Sequence, residues 1–248
     1  MVSRPETHLV LTSEHGSAAV PARYAALFRG AGNVLSGHRA VDLGTAELTA
    51  CLARRTGVRP HRARVTRLLV DCNRSPGHPH LYSEFTRGLP AAERERLLER
   101  YYRPYRRAVT AEVEQAVAAG DTVLHISVHS FARVLAGIER NADVGLLYDP
   151  ARPLERALCR YWRDLLAAEP GLGVRRNYPY RGVADGLVTR LRRRFPGPHY
   201  AGIELEVCQD IALAHGPRWI RLQGLLAESL EAVMVMTAAA AVDGRTAD

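Results

Sequence analysis

The feature that most constrains this chain is an alternation of two hydrophobic periods. Short apolar runs of period two are separated by longer runs with a period near 3.6. "THLVLTSEH" (7–15), "RVTRLLVDCNR" (64–74), "TVLHISVHS" (122–130) and "HYAGIELEVCQ" (199–209) read as strands, and "ADVGLLYDP" (142–150) as another. Between them, "PARYAALFRG" reads as a short helix from Pro21, and "DLGTAELTACLARRTG" as a helix stopped by Gly57. A long helical region, 90–120, is expected to bend or break before Pro104 and end at Gly120. "PLERALCRYWRDLLAA" and "DGLVTRLRRRF" are further helices, "GVRRNYPYRG" (173–182) a loop, and a final helix starts at about residue 217. Strands alternating with helices imply an α/β sandwich with a largely parallel sheet. A single domain over 1–248 is expected.

In open α/β sheets, ligands bind beyond the carboxyl ends of strands. Here those ends are chemically loaded: "SEHG", "DCNR" and "SVHS" close three strands, and "ELE" sits in the last. His15 and His129 are therefore candidate metal ligands. Imidazole suits zinc, and a catalytic zinc takes three protein ligands and keeps one open position. A carboxylate must be the third, with Glu14, Asp42, Glu204 and Glu206 available. The HExxH spacing is absent. Asn73 and Arg74 place a guanidinium fork at a strand end, suited to a carboxylate. Arg140, Arg176, Asn177, Tyr178 and Tyr180 lie in loops suited to orienting a polar or acidic ligand. His78 and His80 form an H-x-H pair in a Pro/Gly-rich loop, better read as loop packing or substrate contact than as metal ligands.

Composition removes several classes. All 34 basic residues are arginine, so lysine Schiff-base enzymes and P-loop nucleotidases are excluded. Net charge is +8, but the arginines are dispersed among acids. The densest run, "RLRRRF", fits a solvated helix face, and no nucleic-acid partner is expected. The four cysteines form no CxxC pair and are expected as free thiols. No GxSxG elbow supports a serine nucleophile. The apolar run "VMVMTAAAAV" is shorter than the roughly 20 residues of a membrane span. The first residues lack a signal-peptide pattern. A cytoplasmic protein with no membrane partner is expected.

"SEHGSAAVP", "GHRAVDLGTAEL", "VDCNRSPGHP", "YYRPYRRAV", "SVHSF", "RNADVGLLYDP", "RRNYPYRGVADGL" and "AGIELEVCQ", in order over about 8–210, resemble the N-formylglutamate amidohydrolase family. They are closer to its branch with Glu-His-Gly as the first motif. The family is similar in fold to the zinc carboxypeptidases. The resemblance implies a three-layer α/β/α sandwich with a mixed, largely parallel sheet, and zinc-dependent hydrolysis of an N-acyl acidic amino acid. It implies His15 and His129 as zinc ligands, Glu206 as general base, and Asn73–Arg74 as holders of a substrate carboxylate. Carboxypeptidases take a glutamate three residues after the first histidine, where this chain has Ala18. The third ligand is then Asp42, which matches an acidic position of the family, with Glu14 in reserve. Glu204 and Glu206 are expected to point to opposite faces of their strand, leaving Glu206 alone with the reacting water.

Two other readings remain open. One is a zinc hydrolase of the same fold acting on a specialised metabolite or small peptide amide. The other is a non-catalytic binder of an acidic ligand, which would need no stoichiometric zinc.

Overall fold

The period-two run at the centre of the chain becomes the axis of the sheet. A computed structural model describes residues 7–243, so part of the leader-peptide reading, on positions 1–6, lies outside the described residues. The strands are β1 (Thr7–Ser13), β2 (His61–Arg62), β3 (Thr122–Phe131), β4 (Val134–Leu135), β5 (Ile138–Glu139), β6 (Val144–Leu147), β7 (Val174–Arg176) and β8 (Tyr200–Cys208). The main sheet has the order β2-β1-β3-β8-β6-β7, and β4 and β5 form a separate antiparallel hairpin. Every pairing in the main sheet is parallel except β6 with β8. β3 is buried along its whole length, as the centre of a sheet covered on both faces must be.

The helices are α1 (Gly32–Leu35), α2 (Thr45–Thr56), α3 (Ala91–Leu97), α4 (Arg103–Ala119), α5 (Pro153–Ala167), α6 (Leu187–Arg194), α7 (Gln209–Leu213) and α8 (Pro217–Asp243). Leu124, Ile126 and Val128 project from β3 into one core, with Leu48 and Leu52 of α2, Trp162 of α5, and Trp219 and Leu226 of α8. Val123 on the other face packs with Val109 and Val113 of α4 and Leu187 and Leu191 of α6. The result is the α/β/α layering that the resemblance implied. On the α4/α6 face the side chains turn polar towards the carboxyl end of β3, where His125, Ser127 and His129 follow Val123.

Four local expectations change, and the expected break before Pro104 takes a specific form. The run 64–74 is not a strand: on that edge of β1 the paired segment is His61–Arg62, just before it. Within the run, Leu69 N to Thr66 O and Arg74 N to Asp71 O are turn bonds, and Asp71 N donates across the following loop to Leu81 O. Its apolar side chains are buried instead in a third cluster, Val65, Leu68 and Leu69 with Tyr24, Phe28, Leu97 and Tyr102. Residues 174–176, read as loop, pair with β6. The break before Pro104 is a π-helical turn, Leu98–Tyr102, joining α3 to α4. Proline cannot donate the bond a regular turn would need, and a wider turn absorbs the defect. The run "RLRRRF" is not wholly solvated, because Arg192 turns inward to the fully buried Glu155 at 2.9 Å. Finally, Pro217–Ala240 is long and apolar enough to cross a membrane by length and composition alone. Its Leu222, Leu226, Leu230 and Val233 nevertheless lie in the main core. Trp219 and Gln223 of the same helix donate to Glu47 of α2, each at 2.9 Å.

Candidate metal centre and active site

Two parallel strands deliver the two histidines. His15 follows β1, and His129 lies near the end of the neighbouring β3. Asp42 enters from the loop before α2. Its backbone N–H donates to His15 O at 2.9 Å, and its carbonyl accepts from Thr45 Oγ1 at 2.6 Å. The loop then turns at Gly44, whose φ of 84° suits glycine and where a Cβ would lie 2.4 Å from Ala212 Cβ. His15, Asp42 and His129 are all buried, and one ligand atom from each lies within 4.8 Å of the others. Asp42 Oδ2 is 3.0 Å from His129 Nδ1 and 3.5 Å from His15 Nδ1.

The outer nitrogens are held by carboxylates. His15 Nε2 meets Asp71 Oδ1 at 2.7 Å, and His129 Nε2 meets Glu14 Oε2 at 3.1 Å. Each contact holds the Nε2 edge of the ring away from the triangle and leaves Nδ1 facing Asp42, which on His129 is within hydrogen-bond distance of Oδ2. This carboxylate–histidine pairing orients imidazoles in metal sites generally. His15 Nδ1 is buried and has no hydrogen-bond partner, as an atom kept for a ligand would be. Glu14 is thus not in the triangle. It is buried beneath it, accepting also from Tyr105 Oη at 2.7 Å and Ser127 Oγ at 2.6 Å.

Charge follows from these contacts. Burial, with the neighbouring Arg67 guanidinium, lowers His15 to about 4, so its imidazole is neutral at pH 7. Burial also opposes charge on His129, but the Glu14 carboxylate outweighs it and raises the ring to about 9. For Glu14 and Asp71, burial acts against ionisation. It is overcome by His129 in the first case and His15 in the second, and both carboxyls fall well below the usual range.

Glu206 lies opposite His129 on β8, and Glu204 opposite Ser127. Both line the same cavity of about 240 Å³, together with His15, Asp42 and His129. The expectation that they point to opposite faces is therefore wrong. Side chains two residues apart on a strand share a face, and the two glutamates differ only in position along it. Glu206 lies nearer the strand end, beside the histidine of the triangle. Burial lifts its carboxyl to about 7, against the pull of His129, and Oε2 has no partner.

Asn73 and Arg74 line the cavity, but part of each is used for structure. Asn73 Oδ1 accepts from Leu187 N at 2.7 Å, fixing the start of α6. Arg74 Nη1 donates to Asp185 O at 2.9 Å, while its buried Nε has no hydrogen bond. Tyr180 and Arg181 also line the cavity, whereas Arg140 and Tyr178 stand behind it. Arg140 donates to Tyr180 Oη at 3.0 Å, and Tyr178 Oη accepts from Asn141 N at 3.0 Å. Exposed His80 donates its backbone N–H to His78 Nδ1, a loop contact away from the triangle.

Asp71 and Arg67 escaped the sequence reading. Asp71 stands two residues before Asn73 in "DCNR", and Arg67 four before Asp71, inside the run mistaken for a strand. Arg67 pairs with Asp42 and lines the cavity, its Nε buried and unpartnered. The sequence Ser127–His129–Asp42 superficially resembles a nucleophilic triad. Ser127 is fully buried, however, and donates to Glu14, so no substrate can reach it.

A mixed α/β sheet with histidines at two parallel strand ends, a carboxylate between them and a proton-competent glutamate alongside defines a hydrolase of the α/β class. The chain belongs to the N-formylglutamate amidohydrolase family, whose model matches residues 7–213. Among solved structures it is similar to the gene product Atu2144 of Agrobacterium tumefaciens, with 28% identity and a TM-score of 0.75 over 91% of each chain. It is also similar in fold to an N-formylglutamate amidohydrolase from Ralstonia eutropha JMP134. That pair shares 22% identity at a TM-score of 0.69, covering 97% of this chain and 96% of the other. No curated protein matches the chain.

Proposed function

We propose that this amidohydrolase is zinc-dependent and cleaves the amide bond of an N-acyl acidic amino acid of the N-formylglutamate type. The observation that carries the reading is the convergence of His15 Nδ1, His129 Nδ1 and Asp42 on one point, with the outer nitrogens held by Asp71 and Glu14. The donor set suits zinc: two imidazoles and one carboxylate leave a fourth position open. When bound there, zinc supplies Lewis acidity towards the acyl carbonyl and lowers the pKa of water.

The chain's own residues do the rest. Glu206, with an unpartnered Oε2 and a carboxyl raised to about 7, takes a proton from the attacking water. A C–O bond forms at the acyl carbon and the C–N bond breaks. Glu206 returns the proton to the departing nitrogen, giving a carboxylic acid and a free amino acid. Arg74 holds a substrate carboxylate through its fork, and Arg67 adds positive charge to the same cavity wall.

Elemental analysis and an assay on N-formyl-L-glutamate test this reading. About one zinc per chain and release of formate are expected, with both lost in His15→Ala and His129→Ala. A folded variant that keeps its zinc would remove that histidine from the site, and a zinc-loaded enzyme inert on N-acyl acidic amino acids would overturn the substrate.

A further inference from the structure

The cavity wall is chemically divided by segment. The connection before β3 supplies Arg67, Asn73 and Arg74, whereas the chain leaving β3 supplies Phe131, Ala132 and Leu135. That apolar stretch runs into the β4–β5 hairpin. Leu135 pairs with Ile138 across it, so the two side chains leave the same face. The turn between them is set by left-handed residues, Ala136 at φ 51° and Gly137 at φ 78°, which match the twist of a tight hairpin. Leu135 is 37% exposed, Ile138 69% and the cavity-lining Tyr180 42%. Arg140, just after β5, links the pieces: its guanidinium donates to Tyr180 Oη and lies 4.9 Å from the ring centroid. The hairpin and the tyrosine loop are thereby tied together as a pre-formed apolar lip continuous with the cavity.

We infer that this lip, Leu135, Ile138 and Tyr180, receives a hydrocarbon extension of the substrate's acyl group, so that the enzyme prefers N-acyl amino acids with acyl chains longer than formyl. The inference rests on the amidohydrolase reading and deepens it. Carboxylates of the amino-acid half are drawn to Arg67 and Arg74, and a formyl group has no carbon beyond its carbonyl to cover exposed Leu135 and Ile138. An acyl chain leaving the cavity past Leu135 covers apolar surface on both partners.

The test uses N-formyl-, N-acetyl-, N-butanoyl- and N-hexanoyl-L-glutamate in two assays. One is kcat/KM with the zinc-supplemented enzyme. The other is calorimetric binding to Glu206→Gln, which reads the lip without turnover. A rise of about 2–4-fold per methylene is expected in both. Leu135→Ser with Ile138→Ser, or Ile138→Ser alone, should flatten the slope. A flat or falling series in the unsubstituted lip overturns the inference, as does a slope that these substitutions leave intact. A flat series combined with a dimer that Ile138→Ser dissociates in sedimentation assigns the lip to a second copy instead. Absence of turnover on every substrate, with the binding slope retained, rejects the proposed reaction and upholds the lip.

Discussion

Burial gives Glu206 its chemistry. The carboxyl lies among the polar groups of the cavity, yet desolvation outweighs the attraction of His129 and holds it near 7. As a base it must be ionised, so kcat/KM should rise with pH along an acid limb at or below 7, a cation in the triangle pulling it lower. Glu206→Gln is expected to cut kcat by about 10²–10⁴-fold with zinc content unchanged, and to abolish that limb. The same shift has a sign for stability. A carboxyl raised in the fold keeps its proton longer than in the unfolded chain, so the chelated, metal-free protein loses stability as pH climbs from about 4.5 to about 7. In chelated protein, Glu206→Gln should therefore raise Tm at pH 8 and leave it unchanged at pH 4. Asp71 acts one step back, through His15. Asp71→Asn should weaken zinc binding by about 10–100-fold in a chelator competition, with the circular dichroism spectrum unchanged.

Elements meet at the site through contacts that sequence order conceals. Asn73 was expected to hold substrate, and its side chain does line the cavity, but its oxygen fixes the first turn of α6 across 114 residues of chain. Asn73→Ala leaves the buried Leu187 N–H without a partner. It is expected to cost about 1–3 kcal/mol in urea denaturation while the zinc content stays the same. This result would separate Asn73 from its neighbour Arg74, whose Nη1 is held by Asp185 O but whose Nε has no hydrogen bond. The β6 strand provides the other meeting point. At Gly145, beside Glu206, a Cβ would come within 2.0 Å of Tyr178 O, so only glycine lets the tyrosine loop cross so close to the sheet.

At the scale of the molecule, the layers behind the site are joined by a buried ion pair. Glu155 of α5 accepts from Arg192 of α6 at 2.9 Å, from Gly202 N of β8 at 3.0 Å, and from Asp149 N at 2.9 Å. One carboxylate thus joins two helices, from opposite faces of the sheet, to the strand that carries Glu206. Arg192→Met leaves that buried carboxylate with Arg152, 3.2 Å away, as its remaining cation and is expected to cost about 1–3 kcal/mol. Replacing both members, Arg192→Met with Glu155→Met, should cost less than the single change, as measured by urea denaturation of the two variants. A larger loss in the double variant would show that the backbone bonds to Glu155, rather than the pair, hold the layers.

The sequence alone determined the periods, and with them the α/β class, β1, β3 and β8, and the helices closed by Gly57 and Gly120, because these follow from spacing within one segment. It also placed His15 and His129 at strand ends, since a strand's end is a local event. Asp42 as their companion came from the family resemblance, and the fold brings it to them. Tertiary structure decided what spacing does not encode. The run 64–74 has a strand's composition, but its apolar side chains are buried by Tyr24, Phe28 and Leu97, so it forms turns and delivers Arg67 to the cavity and Asp71 to the back of His15. Glu14 and Asp42 were interchangeable as acids near histidines. Only the register of β1 with β3, which puts Glu14 behind the His129 ring, and the loop before α2, which brings Asp42 in front of it, gave them different roles.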